Sequence, residues 1–315
     1  MPSSASVFER VVDFLIQLFT DPVGFWSSHT LLISQIAINS ILASSMFVVL
    51  YSGQLSLAAP GFMAVGAYTA VLMSLYLHTP LAVNIAAGTA LAGAAGVVVG
   101  LPVLRLRGVF LAIATIGFIE ALSLGVILNL PITGEGLGLK NPDADPVGGI
   151  YPVLISMAVV VFFLWRLTKG RLGYAWTAIR QDELAALSQG IDVPRYKLIA
   201  FVLSAVLAGY AGGLESHLNF FVDPNEYGVP RTVQVLTFAV LGGSGNVIGP
   251  VVGALFLTTL PFVFQQAGDY IGVVSGVILI LVIIFRPQGI IGRGGFAFVR
   301  PRWWPRPQVS APSTG

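Results

Sequence analysis

Few side chains in this sequence could carry out chemistry, and their spacing excludes more than it suggests. The three histidines, His29, His78 and His217, are scattered, unlike the clustered spacing of a metal site. There is no cysteine, so disulfides, thiolate zinc and iron–sulfur ligation are excluded and the redox compartment stays unread. No G-x-x-x-x-G-K-[ST] loop is present, nor any Gly-Lys pair, so the chain has no P-loop with which to hydrolyse ATP. No serine stands in a G-x-S-x-G elbow. An enzyme has no constellation to rest on, and no resident cofactor is expected.

Ionisable residues inside apolar runs are the next candidates. Glu120 lies mid-way along one such run, and Glu215 with His217 lies late in another. A charge at the centre of a membrane span costs about 2.5–3.5 kcal/mol on insertion scales, so each is a functional candidate. Glu120 has two readings, a hydrogen bond to a neighbouring helix or a polar group on a transport path. Glu215 and His217 sit near a span end and reach the headgroup region. An acid–histidine set of this kind is what a proton-coupled secondary transporter would use.

The elements that must position these residues are membrane helices. Of 315 residues, 56% are apolar and 10% charged, against roughly a quarter charged in a soluble domain. A mean hydropathy of +0.86 excludes a water-soluble surface. A span needs about 20 mostly apolar residues, and the runs 31–51, 81–104, 109–130, 150–167, 198–222 and 270–285 qualify. Segments 61–77 and 233–264 are apolar but laden with glycine and proline. Gly88, Gly93, Gly96 and Gly100 give the run 81–104 a small-residue face for close helix contact. Residues 7–20 carry Glu9, Arg10 and Asp13 and read as an interfacial helix rather than a signal peptide.

Most of the sixteen lysines and arginines fall into three clusters. These are Arg105 with Arg107, then 166–197, then the tail 286–306. The positive-inside rule places all three in the cytoplasm. Parity makes 233–264 start and end outside, as a re-entrant hairpin or two short spans turning at Gly242–Asn246. The side of the N-terminus stays open. Five regions follow: an interfacial segment 1–28, a first membrane half 29–167, a cytoplasmic loop 168–197, a second half 198–286 and a basic tail 287–315.

The loop 168–197 is the one long polar interruption. Within it 174–189 is rich in helix formers, and Gly190 followed by Pro194 makes a stop. A short helix at the inner face is expected, with Arg180, Asp182 and Glu183 exposed. Ala185, Ala186 and Leu187 would give a small, smooth surface suited to a soluble partner.

Here a resemblance becomes specific. The stretch TAIRQDELAALSQGI, residues 177–191, resembles the coupling loop of branched-chain amino-acid ABC permeases of the LivM type. GQLSLAAPGFMAVGAY (53–68), LRLRGVFLAIATIGFIE (104–120), ITGEGLGL (132–139), GGSGNVIGPVVGA (242–254) and FRPQGIIG (285–292) are similar to further family segments, in order. Two departures bear on substrate identity: Ala58-Ala59-Pro60-Gly61 stands for the family's Gly-x-Ala-Ala, and TGEGLGL for its more frequent TGGxxGL.

The resemblance implies a permease subunit in a bacterial inner membrane, with ATP and Mg held by partner subunits. Those partners are a second, LivH-like permease, two ATPase subunits and an extracytoplasmic binding protein, with lipid around them and no nucleic acid. It implies passage of a branched-chain amino acid, or a related amino acid, amide or urea. The expected fold is an all-α polytopic bundle of about 8–10 spans, with glycine-broken or re-entrant helices, resembling the vitamin B12-type (type II) importer permeases. Arg180, Asp182, Glu183, Ala185, Ala186 and Gly190 would couple the chain to an ATPase. Helices broken near the bilayer midplane would line the path, with Gln54, Ser56, Gly61, Glu120, Gly243, Ser244 and Asn246 as candidates. The alternative is a proton-coupled transporter using Glu120, Glu215 and His217.

Overall fold

The computed structural model describes residues 29–122, 133, 138–141, 150–243 and 245–263. The expectations for residues 7–20, for Ser244, for the span 270–285 and for the basic tail lie outside them. Among the described residues five helices are long and apolar enough to cross a membrane: α1 (Thr30–Tyr51), α2 (Ala59–Leu77), α3 (Leu81–Val103), α5 (Ile150–Thr168) and α8 (Val193–Leu218). Three shorter apolar helices join them, α4 (Val109–Glu120), α9 (Val229–Gly242) and α10 (Gly249–Val263). Two polar helices, α6 (Arg171–Gln181) and α7 (Glu183–Ser188), fill the interval between α5 and α8. A two-residue strand β1 (Leu139–Lys140) pairs antiparallel with β2 (Phe221–Val222) at the opposite end of α8. A 3-10 turn, Pro224–Tyr227, leads from β2 into α9.

Sequence decides which helix is central. α1 is apolar all round, with no polar face to turn toward water, and 78% of its most apolar window is buried. Three of its buried serines bond within the helix: the Ser40, Ser44 and Ser45 hydroxyls donate to the Ile36, Ser40 and Leu42 carbonyls at 2.7 Å. Such bonds let small polar residues pack inside a bundle. α5, with 22% buried, lies at the perimeter.

Glycine sets the spacing of α2, α3 and α8, as the small-residue face of 81–104 predicts. A Cβ on Gly66 would lie 2.1 Å from the Gly209 carbonyl oxygen, and one on Gly88 would lie 2.5 Å from that of Gly66. Backbones at this separation admit no side chain, so the three helices meet over their full van der Waals surfaces.

The hairpin expected over 233–264 is present as α9 and α10. At 14 and 15 residues they extend about 21 and 22 Å, short of the ~30 Å hydrocarbon core. They fold back where Gly242 meets Gly249, a Cβ on Gly242 falling 1.8 Å from the Gly249 oxygen. Phe238 and Ala254 of this hairpin pack on Ala43, well along α1.

One expectation is corrected. The break that carries Gln54 and Ser56, expected among helices broken near the bilayer midplane, falls at residues 52–58 between α1 and α2. It lies instead at the basic end of the bundle. The Gln54 amide donates to the Lys197 carbonyl at 3.0 Å, and a Cβ on Gly53 would sit 3.0 Å from the Arg180 Cα. The backbone groups that the break frees are met nearby, the Gly53 and Gln54 N–H groups donating to the Leu50 and Val49 carbonyls and the Leu57 N–H to Thr115 Oγ1 of α4 at 2.9 Å, while the Gln54 side chain ties the break to α8.

Candidate functional site

Two clusters of polar residues occupy opposite ends of α8, which at 26 residues is about 39 Å long. The first surrounds α6 and α7. The expected single helix over 174–189 is two helices, because Asp182 leaves the helical conformation (φ −159°, ψ 114°). Its carboxylate caps α7, accepting from the Leu184 and Ala185 N–H groups at 2.8 and 3.1 Å. At the other end Gly190 adopts φ +79°, and the Gly190 and Ile191 N–H groups donate to the Leu187 and Ala186 carbonyls. This left-handed cap ends the helix and turns the chain toward α8.

The inner side of this layer is sealed. Trp176 is buried and its indole N–H donates to the Tyr196 carbonyl at 2.9 Å. Thr177 Oγ1 donates to the Tyr51 hydroxyl at 3.2 Å, which joins α6 to the end of α1. Glu183 pairs with Lys197, which joins α7 to α8. Ala186 packs with Ile179 and Val193 and is 3% exposed, so its expected place on a smooth outer surface is corrected. The cap at Asp182 sets the phase of α7: it turns Ala186 inward and Leu184, Ala185 and Leu187 outward. Leu184 is 73% exposed, and Tyr174, Arg180, Asp182 and Gly190 are also exposed. Asp182 and Glu183 therefore act within the chain, one as a cap and one as an ion pair.

The second cluster centres on Glu215, three residues before the end of α8. Its carboxylate accepts from Arg231 Nη2 at 2.9 Å and, at 3.4 Å, from the Gln35 amide and the Tyr227 hydroxyl. Arg231 also donates to Asn39 Oδ1 at 3.1 Å and Gln234 Oε1 at 3.0 Å, and the Asn39 amide donates to Thr258 Oγ1 at 3.0 Å. The network ties α1, α8, α9, α10 and the 3-10 turn together. It walls a polar cavity of about 480 Å³ in which Glu226 is a second acid. Loss of water around the Glu226 carboxyl, then the like charge of Glu215, raise its pKa, and Arg231 partly offsets them. Burial and the same carboxylates push the Tyr227 phenol well above its usual range, which keeps it a neutral donor.

The remaining candidates do not converge. Gln54 and Ser56 are buried in the 52–58 break, where Gln54 also donates to Ser52 Oγ at 2.8 Å. Gly61 faces Phe118 and Ile119 of α4, and Glu120 is half-buried at the last residue of α4. Gly243 (φ +105°) and Asn246, whose side chain accepts from the Ile248 N–H at 3.2 Å, shape the hairpin turn. None of them lines the cavity beside Glu215. His217 Nδ1 lies 2.9 Å from the Gly213 carbonyl. Arg231 escaped the sequence reading because residues 223–232 look like a loop. Its signal was available: it is the sole lysine or arginine between residues 198 and 285, on the side where the positive-inside rule leaves few.

The family model described as branched-chain amino acid transport system, permease component, matches residues 29–283. The chain belongs to this family. Among its relatives, the chain is 34% identical to the high-affinity branched-chain amino acid permease LivM of Escherichia coli K12, over 78% of this chain and 65% of that protein. It thus spans less than two thirds of that relative's length. It is 32% identical to LivH of Salmonella typhimurium over 51% of each chain. It is also 26% identical to LsrC, the autoinducer 2 import permease of E. coli O9:H4, over 58% of this chain and 56% of LsrC. No solved structure matches the chain. Within this family, then, the chain is a multi-span helical membrane protein, and its relatives are named for different cargo, branched-chain amino acids for LivM and autoinducer 2 for LsrC.

Proposed function

We propose that this chain is the membrane permease subunit of an ATP-binding-cassette importer that passes a small amino acid, with a branched-chain amino acid favoured, into a bacterial cytoplasm. ATP and Mg belong to two partner ATPase subunits, a LivH-like second permease completes the membrane part, and an extracytoplasmic protein delivers the cargo. The type II importer architecture of about 8–10 spans belongs to the same reading. So do the five regions drawn above, with 168–197 as the coupling loop.

The observation that carries this reading is the layer of α6 and α7. It is sealed to α1 and α8 by Trp176, Thr177 and the Glu183–Lys197 pair. Its outer face meanwhile presents Tyr174, Leu184 and Leu187, each an apolar side chain left exposed. A motion imposed on that face is transmitted to α8 because interlocked cores move as units. The basic residues around it, Arg105, Arg107, Arg195 and Lys197, put this end in the cytoplasm under the positive-inside rule.

The path itself remains a proposal at Gln54, Ser56, Gly61, Glu120, Gly243, Ser244 and Asn246, of which Gly243 and Asn246 lie at the deep turn of the α9–α10 hairpin. The proton-coupled alternative needs Glu120, Glu215 and His217 to act as one set. Glu215 bonds Gln35, Tyr227 and Arg231 instead, so no observation favours that reading.

Co-expression with candidate ATPase subunits tests the proposal. The chain should co-purify with them and support ATP-dependent uptake in liposomes. Single cysteines at positions 140 and 185 should label from outside and inside respectively. Uptake by the purified chain alone, without ATP or partners, would instead favour the secondary transporter.

A further inference from the structure

The cavity beside Glu215 has a chemistry that a brace between helices does not need. Replacing a buried ion pair with apolar residues is often neutral or stabilising, so helix packing alone is a weak reason for one. Here the pair is buried, the Arg231 and Glu215 side chains being 14% and 5% exposed, yet both line an open cavity. At about 480 Å³ that cavity is within the ~300–1,000 Å³ range of small-molecule sites.

Its wall states what it would hold. Among the described residues the carboxylates of Glu215 and Glu226 face one guanidinium, that of Arg231, which leaves one negative charge unmatched. Gln35, Asn219 and Gln234 supply amides that can both donate and accept, and Pro230 is the one apolar residue of the wall among the described residues. The three hydrogen bonds that Arg231 makes, to Asn39, Glu215 and Gln234, leave further N–H donors on the same fork. A guest with one ammonium and one carboxylate matches this set group by group. Among the described residues, a branched aliphatic side chain would meet only Pro230 and the apolar stems of these polar residues. The cavity also opens at the end of α8 remote from the α6–α7 layer, where cargo would arrive under the importer reading.

We propose that this cavity is a receiving site for the zwitterionic head of an α-amino acid, with the ammonium held by Glu226 and the carboxylate by Arg231 and the neighbouring amides, and with the side chain left unread. The inference rests on the importer reading above. It implies that this chain accepts amino acids as a class and that discrimination among side chains is made elsewhere.

Equilibrium binding of radiolabelled L-leucine to the full complex in nanodiscs, without the extracytoplasmic protein, tests the site. L-alanine should compete with similar affinity. The analogues 4-methylpentanoate and isopentylamine each lack one charged group and should compete at least about 10-fold less well. Glu226→Gln, at an exposed residue, should weaken leucine binding about 10-fold without a folding defect. Arg231→Lys keeps the buried charge and should weaken it by a similar factor through loss of the planar fork. Equal competition by the two analogues overturns the proposal, as does leucine binding that both substitutions leave unchanged. An assembled wild-type complex that binds no leucine also overturns it while leaving the importer reading standing. Failure of the wild-type chain to co-purify with ATPase subunits is a different result, which removes the importer reading and this site with it.

Discussion

The two ends of α8 solve the same problem in opposite ways. At the basic end, hydrogen-bonding and charged groups close on one another around buried Trp176 and a cluster of Ile179, Ala186 and Val193, and Tyr174, Leu184 and Leu187 face out beside Arg180 and Asp182. At the other end Glu215, Glu226 and Arg231 face a cavity. A sealed layer transmits force to whatever grips its outer face. A polar cavity admits a solute. One continuous helix, capped by Asp192 and with Pro194 in its first turn, holds the two at a constant separation.

The comparison breaks most readily at the open end. Arg231→Leu strands Glu215 as an uncompensated buried carboxylate and should destabilise the chain by about 3–5 kcal/mol. Combining it with Glu215→Leu should recover most of that loss. Thermal unfolding in detergent measures both, and a single substitution as mild as the double one would mean that the cavity wets the carboxylate fully. At the sealed end Ala186→Trp forces a large ring between Ile179 and Val193 and should cost about 1–3 kcal/mol. If it left stability intact and impaired only partner binding, Ala186 would belong to the outer face after all. Gly190→Val penalises a left-handed cap by about 1 kcal/mol, and Gly190→Asn should recover part of that.

The smallest effects on stability are the most telling about function. Leu184→Glu changes a fully outward side chain and should stay within about 0.5 kcal/mol of the parent. It should nevertheless abolish co-purification with the ATPase subunits. Retention of that partner and of coupled hydrolysis would show that α7 is a surface loop and nothing more. Glu226 should leave a faint trace in the pH dependence. Its folded-state pKa is raised, so its contribution favours the folded state below the ordinary value of 4.5 and is lost as pH rises through the raised value. The slope of melting temperature against pH in that window should flatten in Glu226→Gln.

Much of the bundle was legible in the sequence because the bilayer imposes a length and a composition on each span. The limits of α1, α3 and α5 fall within a residue of those read from apolar runs. The hairpin of α9 and α10 followed from charge parity, and Gly190 as a helix end followed from a glycine placed ahead of a proline. Glu183 and Asp182 were legible as polar residues of a short helix, but their work was not. Whether an acid caps, pairs or meets a partner depends on which neighbours lie within 3 Å.

What the amino-acid order determined by itself was therefore everything that depends on local composition: which segments enter the membrane, which end carries positive charge, where the chain must turn. What only the tertiary structure decided was how residues far apart in the chain combine. It brought Gln54 to Lys197, turned Ala186 inward and Leu184 outward, and assembled Gln35, Asn39, Glu215 and Arg231 from three helices. The physical reason is that burial of a charge or a hydrogen-bonding group is paid for by its partner. In this chain the partner of Glu215 is 16 residues away across a turn and its amide contact 180 residues away on another helix, distances at which no local pattern carries the signal.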